Sequence, residues 1–246
     1  MPSGPYRILS DLQAKQFDED GYVLLEGVLD PAEVAALTAA LDVEEERTTE
    51  WLRTQPGGTF SIASAEQITF TTHLVGRLPA ARSFASAAVF ADLCRDIIGP
   101  ACRLYWDQAV YKKPEPDREF PWHQDNGYTF VEPQQYLTCW VPLTDATVDN
   151  GCPWVVPGLH RLGTLAHRPT RLGFQCLDDP DGAVAVEAAP GDVVVFSSLT
   201  PHRTGPNRTD ALRKAYILQY APDGAAVSRP DGRLVQDDPE RQFVVT

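Results

Sequence analysis

From Arg103 onward the chain is written in short β-branched and aromatic runs: LYWDQAVYKK, QQYLTCWVPLTD, CPWVVP, AVAVEA, GDVVVFSS and RKAYILQYAP, cut apart by Pro, Gly, Asn and Asp. Side chains branched or bulky near the backbone pack well on a pleated surface, so each run predicts a strand. Parallel strands need a long crossover, usually a helix, and no helical stretch separates these runs. At least six strands without intervening helices predict an antiparallel sandwich or jelly roll.

The first hundred residues read differently. Asp30-Pro31 ahead of AEVAALTAALDVEEE supplies an N-cap, a proline at the first helical position and apolar residues at helical spacing. Ser83 to Ile98 has the same period and stops at Gly99-Pro100. The fold class is therefore mainly β with flanking helices. We expect a single domain over 1–246, with a helical part over about 1–100 and a jelly-roll core over about 101–222. The Gly158–Asp181 segment reads as a long irregular insertion, and long loops on β scaffolds commonly carry substrate contacts.

Charge narrows the partners. With 34 acidic and 21 basic residues the net charge is −13, so nucleic acid, an anionic membrane or a coenzyme A tail meets repulsion, and no Lys/Arg run offsets it. A small-molecule substrate is expected instead. The five cysteines, Cys94, Cys102, Cys139, Cys152 and Cys176, are odd in number and form no CxxC pair, which indicates neither a disulfide framework nor a zinc knuckle. No stretch approaches the roughly 18 apolar residues of a membrane helix, and the N-terminus shows no secretory pattern. The expected location is the cytoplasm.

Chemistry concentrates at a few of the five histidines. In PWHQDNGY, His123 and Asp125 stand one residue apart, and on an extended strand positions i and i+2 share a face. Alone, such a pair is as well explained by a solvated strand end. His202 follows in GDVVVFSSLTPHRTG, at the end of an expected buried strand, and Arg213 comes eleven residues later at the start of RKAYILQY. Two imidazoles and one carboxylate on one face of Fe(II) leave three positions open, two for a chelating 2-oxoacid and one for O2. Arg213 would then pair in a bidentate manner with the far carboxylate of the 2-oxoacid.

This pattern, with WHQD, DNGCPWVVPGLH and the opening FDEDGYVLLEGVLDPAEVAAL, resembles the phytanoyl-CoA dioxygenase family of Fe(II)/2-oxoglutarate-dependent oxygenases over most of the chain. The resemblance implies a double-stranded β-helix with the metal at one mouth. It implies His123, Asp125 and His202 as iron ligands and Arg213 as the 2-oxoglutarate anchor. It further implies Thr204 as a hydroxyl on the same far carboxylate, Trp140 as a wall of the cosubstrate pocket, Gln108 as a strand position facing it, and Gln67, more loosely, as an amide donor. Halogenating relatives carry a small residue where Asp125 stands, so the carboxylate argues against halogenation. The cofactors implied are Fe(II), 2-oxoglutarate and O2, with succinate and CO2 released as an unactivated C–H is oxidised.

The expected substrate is a small polar natural product, such as a glycoside, oligosaccharide or aminoglycoside, changed by hydroxylation or oxidative ring closure. Trp51, Trp122, Tyr128 and Phe130 suit stacking on a ring, or core packing. His160, in PGLH, reads as a structural histidine near the site; His73 and His167 read as surface residues; Asn150-Gly151 reads as a hairpin turn. Two other classes fit the same residues less well: a silent 2-oxoglutarate or metal sensor, and a cupin-like metalloenzyme that needs no Arg213.

Overall fold

The computed structural model describes residues 5–117, 119–134, 136–229 and 231–246. Its main sheet has eight strands, in the order Tyr22–Leu25, Val193–Ser197, Leu137–Pro142, Arg213–Pro222, Cys102–Lys112, Ile68–Thr72, Ala63–Ser64 and Thr59–Phe60. A smaller sheet carries Val184–Ala185, Pro153–Val155, His202–Thr204 and Phe120–His123. All pairings in both sheets are antiparallel. The mainly β, jelly-roll expectation is met.

Period-2 alternation distributes the side chains of the main sheet. Cys139, Val141, Val193, Val195, Tyr216 and Leu218 enter one core with helical residues such as Phe17, Leu37 and Phe90. Their neighbours Trp140, Val194, Phe196, Ala215 and Ile217 face the opposite way and join Val155 of the small sheet in a second core. Because both faces are covered, these strands read as nearly continuous apolar runs. This second face of the main sheet looks toward the small sheet, which carries His123 and His202.

Asp30 caps the Pro31–Arg53 helix by accepting from Ala32 N at 2.8 Å. The second helical stretch is two helices, Pro79–Ala85 and Ala88–Ile97. Its break at Ser86-Ala87 lies in a small-residue run where periodicity alone cannot mark a boundary. The Gly158–Asp181 segment contains a short helical turn, Leu159–Leu162, and a small hairpin of Arg168–Thr170 with Gly173–Gln175. Asn150-Gly151 does form a turn, in which Thr147 O accepts from the N–H groups of Asn150, Gly151 and Cys152. No helix among the described residues is long and apolar enough to cross a membrane.

The opening motif is anchored at the edge of the main sheet, where Tyr22–Leu25 pairs with Val193–Ser197. Ser10 forms a capping box with Gln13, and the Asp11–Asp20 helix stops at Gly21, whose φ of 80° is left-handed. A side chain at Gly21 would come within 2.5 Å of His160 Nδ1, while Gly21 O accepts from Thr200 Oγ1 at 2.7 Å. Gly21→Ala should therefore destabilise the protein by at least about 2 kcal/mol, combining left-handed strain with a clash. Urea denaturation checks this, and an unchanged midpoint would refute it.

Candidate active site

His123 ends the Phe120–His123 strand, and His202 opens the His202–Thr204 strand directly opposite it. Their ring centroids are 4.2 Å apart. Asp125 is not on the strand with His123, as the HxD spacing suggested. Gln124 is still extended (φ −110°, ψ 143°), and Asp125 begins a four-residue helical turn, Asp125–Tyr128. The turn still delivers the carboxylate, with Asp125 Oδ1 at 4.0 Å from His123 Nε2 and 3.8 Å from His202 Nε2. His202 likewise does not end the buried Val193–Ser197 strand but starts a new one in the other sheet, which is what carries it to His123.

The donor atoms are prepared for a metal. His123 Nδ1 lies 2.8 Å from Pro121 O, and His202 Nδ1 lies 3.0 Å from Thr200 O. A carbonyl can only accept, so each Nδ1 carries the proton and each Nε2 presents its lone pair. Burial, then the neighbouring His202, holds the His123 imidazole well below its ordinary pKa, which keeps it neutral. Asp125 Oδ2 accepts from Thr138 Oγ1 at 2.6 Å, leaving Oδ1 for the cluster. One donor atom from each of the three residues lies within 4.8 Å of the others. Two nitrogens and one carboxylate oxygen converging from one side suit a non-haem Fe(II) with open positions.

Arg213 stands opposite Lys112, where the strand pairing turns it into the space between the sheets. It is 1% exposed, and its Nε and both terminal nitrogens have no hydrogen-bond partner. Burial pulls its pKa down to about 10, so it remains a cation at neutral pH. A buried guanidinium left without an acceptor is costly, and a carboxylate entering beside it would supply both charge and acceptors. The guanidinium lies over Trp140, 5.4 Å from the ring centroid. One chamber is lined by Arg213, Trp140, Thr204, Gln108 and all three candidate metal ligands. The residues present fit both a chelated iron and a 2-oxoacid.

Gln67 is the exception among the expected residues. Its amide donates to Glu115 Oε2 at 3.0 Å, and it lines a separate niche with Lys112. Ile68 is already paired with Lys112, at the end of the chamber, so Gln67 falls one position beyond it.

A second chamber, about 560 Å³, also includes His123, Asp125 and Gln108 but extends away from Arg213. Its walls include Trp51, Phe60, Phe70, Trp106 and Tyr128. The candidate ligands His123 and Asp125 thus border two chambers, an inner one that holds the buried Arg213 cation and an outer one walled largely by aromatic rings.

Three supporting residues escaped the sequence reading. Thr138 fixes Asp125 as described. Gln124 is fully buried between the two ligands; its Nε2 donates to Gly163 O and Leu199 O, and its Oε1 accepts from Leu165 N. His167, expected at the surface, packs on Gly127 and accepts from Gln124 N at 3.0 Å while its Nδ1 is held by Leu165 O. The Gly158–Asp181 insertion therefore braces the link between His123 and Asp125. His73, by contrast, packs its ring edge-on against Trp106, with centroids 4.4 Å apart. His160 is buried in its turn beside Gly21, as a structural histidine would be. Removing the Thr138 hydroxyl in Thr138→Val should weaken Fe(II) binding by roughly 10-fold with little change in folding stability, because outer partners tune metal ligands. Equilibrium metal titration checks this, and unchanged affinity would refute it.

Fold and site together define an Fe(II)- and 2-oxoglutarate-dependent oxygenase, an enzyme whose cofactors are iron and 2-oxoglutarate, with O2 as oxidant. Residues 17–215 match the phytanoyl-CoA dioxygenase (PhyH) family, and the chain belongs to it. A "Probable phytanoyl-CoA dioxygenase" of Caenorhabditis elegans is 32% identical over 148 residues, covering 54% of this chain and 47% of that protein. This chain thus matches about half the length of that relative. Among solved structures, EvdO2 from Micromonospora carbonacea complexed with 2-oxoglutarate is 27% identical, with a TM-score of 0.64 over 96% of this chain and 97% of that one. The carbocyclase SnoK from nogalamycin biosynthesis is 25% identical, with a TM-score of 0.75 over 99% of this chain and 100% of that one.

Proposed function

We propose that the chain acts as one oxygenase domain that oxidises an unactivated C–H of a small natural product, by hydroxylation or oxidative ring closure, with release of succinate and CO2. The observation that carries this reading is the buried, partnerless Arg213 guanidinium behind the His123–Asp125–His202 cluster. A cupin-like enzyme without a 2-oxoacid has no use for a cation placed at that cost, whereas a silent 2-oxoglutarate sensor would keep it and is distinguished by releasing no succinate.

Each residue has a part. His123 and His202 present Nε2 to iron, and Asp125 presents Oδ1 while Thr138 holds the other oxygen. Arg213 receives the distal carboxylate of 2-oxoglutarate, and the Thr204 hydroxyl, two residues after His202 on the same strand face, adds a hydrogen bond. Trp140 forms the wall beneath Arg213, and Gln108 stands where the two chambers meet. Bound iron, with 2-oxoglutarate and O2, supplies the hydrogen abstraction and oxygen chemistry. The chain supplies position: the outer chamber holds the substrate on the far side of His123 and Asp125 from the cosubstrate. Asp125 fills the place that a halide would need, which disfavours halogenation. A natural-product substrate is supported by the likeness to a carbocyclase of nogalamycin biosynthesis.

Anaerobic titration of Fe(II) and 2-oxoglutarate tests the reading. A weak visible charge-transfer band is expected on adding both, and succinate release above buffer on admitting O2. Bound iron without a band would overturn it.

A further inference from the structure

The outer chamber says more about the substrate than its size does. Its residues shared with the inner chamber include the metal ligands His123 and Asp125, so whatever fills it lies against the metal. Its volume of about 560 Å³ is that of a drug-sized ligand rather than a single small metabolite. Aromatic rings make up much of the wall, from buried Tyr105 and Tyr136 to Trp51 and Phe60 at the rim, which are 47% and 58% exposed and meet edge-on with centroids 5.1 Å apart.

Two absences of polarity matter as much. Among the described lining residues there is no lysine or arginine, and the one carboxylate is Asp125. A phosphate, phosphonate or free carboxylate held there away from the metal would find no cationic side chain, at a large desolvation cost. Several polar atoms of the wall are already committed within the protein. Tyr128 Oη accepts from Phe174 N, Gln108 Oε1 accepts from Trp106 Nε1, and Gln219 Nε2 donates to Thr138 Oγ1. The remaining polar groups, such as the Ser61 and Thr72 hydroxyls and Gln108 Nε2, are scattered among rings, so a flat ring system would meet aromatic faces over much of the wall.

The chamber continues outward. A second cleft of about 420 Å³ shares Ser61, Ile62 and Ala63 with it and is lined by Thr59, Asp117, Glu119 and Arg171. These side chains offer exposed donors and acceptors of the kind that hydroxyl groups use.

We infer that the substrate is bipartite: an uncharged, flat unsaturated ring system occupies the aromatic chamber, and a hydroxylated, sugar-like substituent lies in the cleft beside Arg171. This rests on the oxygenase reading for the orientation toward the metal, and it makes Trp51 and Phe60 specificity residues at the junction of the two spaces.

The test compares three probes by calorimetry on protein loaded anaerobically with Fe(II) and 2-oxoglutarate: a neutral hydroxyanthraquinone O-glucoside, the same glucoside bearing a ring carboxylate, and a disaccharide without an aromatic ring. The neutral glucoside is expected to bind at least roughly 10-fold more tightly than either other probe. In Trp51→Ala/Phe60→Ala protein, both changes being at exposed positions, its affinity should fall by roughly 10-fold. The inference is overturned if the disaccharide or the carboxylate binds as tightly, if the neutral glucoside does not bind, or if the double variant is unaffected. The charge-transfer band, recorded on the same samples, reports separately on the cofactors. A missing band with the expected probe ranking would sink the oxygenase reading and leave the ligand class standing; a normal band with the wrong ranking would do the reverse.

Discussion

Asp125→Ala protein is expected to bind Fe(II) at least ~100-fold more weakly and to release no 2-oxoglutarate-dependent succinate. Asp125 brings the single carboxylate to a cluster whose other two members are imidazoles with their Nδ1 protons held by Pro121 O and Thr200 O. Truncation removes that charge and also strands the Thr138 hydroxyl, which now donates to it at 2.6 Å. The fold should survive, because Asp125 sits in a short turn braced independently by Gln124 and His167 rather than in either core. Circular dichroism, calorimetric iron titration and succinate assay on one preparation separate these effects. A folded variant with wild-type turnover would remove Asp125 from the ligand set. A variant that bound iron normally but failed to turn over would reassign the carboxylate to substrate handling.

The β core was readable because its strands are buried on both faces and so appear as unbroken runs, such as GDVVVFSS and RKAYILQY, between strong turn residues. The long helix was readable from Asp30-Pro31, since capping is local chemistry. What failed were features decided by tertiary contact. The break at Ser86-Ala87 has no local breaker. His123 and Asp125 do come together, but the strand ends at His123 and a helical turn starts at Asp125; the extended Gln124 between them has its side-chain amide satisfied by residues some forty and seventy-five positions away. His167 looked like a surface residue because its partners, Gln124 N and Gly127, are equally remote in sequence. Gln67 was misplaced by one strand position, which is enough to carry a side chain out of one pocket and into another. Arg213 shows the opposite case. Its spacing after His202 pointed to a role, and the strand register facing Lys112 then explains why the guanidinium is inside.

The same arginine yields the second large effect. Arg213→Met protein is expected to bind Fe(II) like the wild type, to lose 2-oxoglutarate affinity by roughly 100- to 1,000-fold, and to melt at a higher temperature when no cosubstrate is added. The first two results follow from position: Arg213 lies over Trp140 behind the ligand cluster and contributes no metal donor, and removing one member of a buried charge pair costs about 2–5 kcal/mol. The third follows from the absence of any hydrogen-bond partner for the buried guanidinium in the protein itself. An apolar side chain of similar length removes that desolvation cost, so a residue retained for binding is one that folding alone would not favour. Adding 2-oxoglutarate at a hundred times its Kd should stabilise the wild type by about 2.7 kcal/mol and leave the variant almost unmoved at the same concentration. The order of the two melting curves should therefore narrow or reverse on titration. If the variant bound 2-oxoglutarate normally, the anchor would have to be another cation. If it melted well below the wild type without cosubstrate, the buried guanidinium would be serving the fold rather than waiting for a carboxylate.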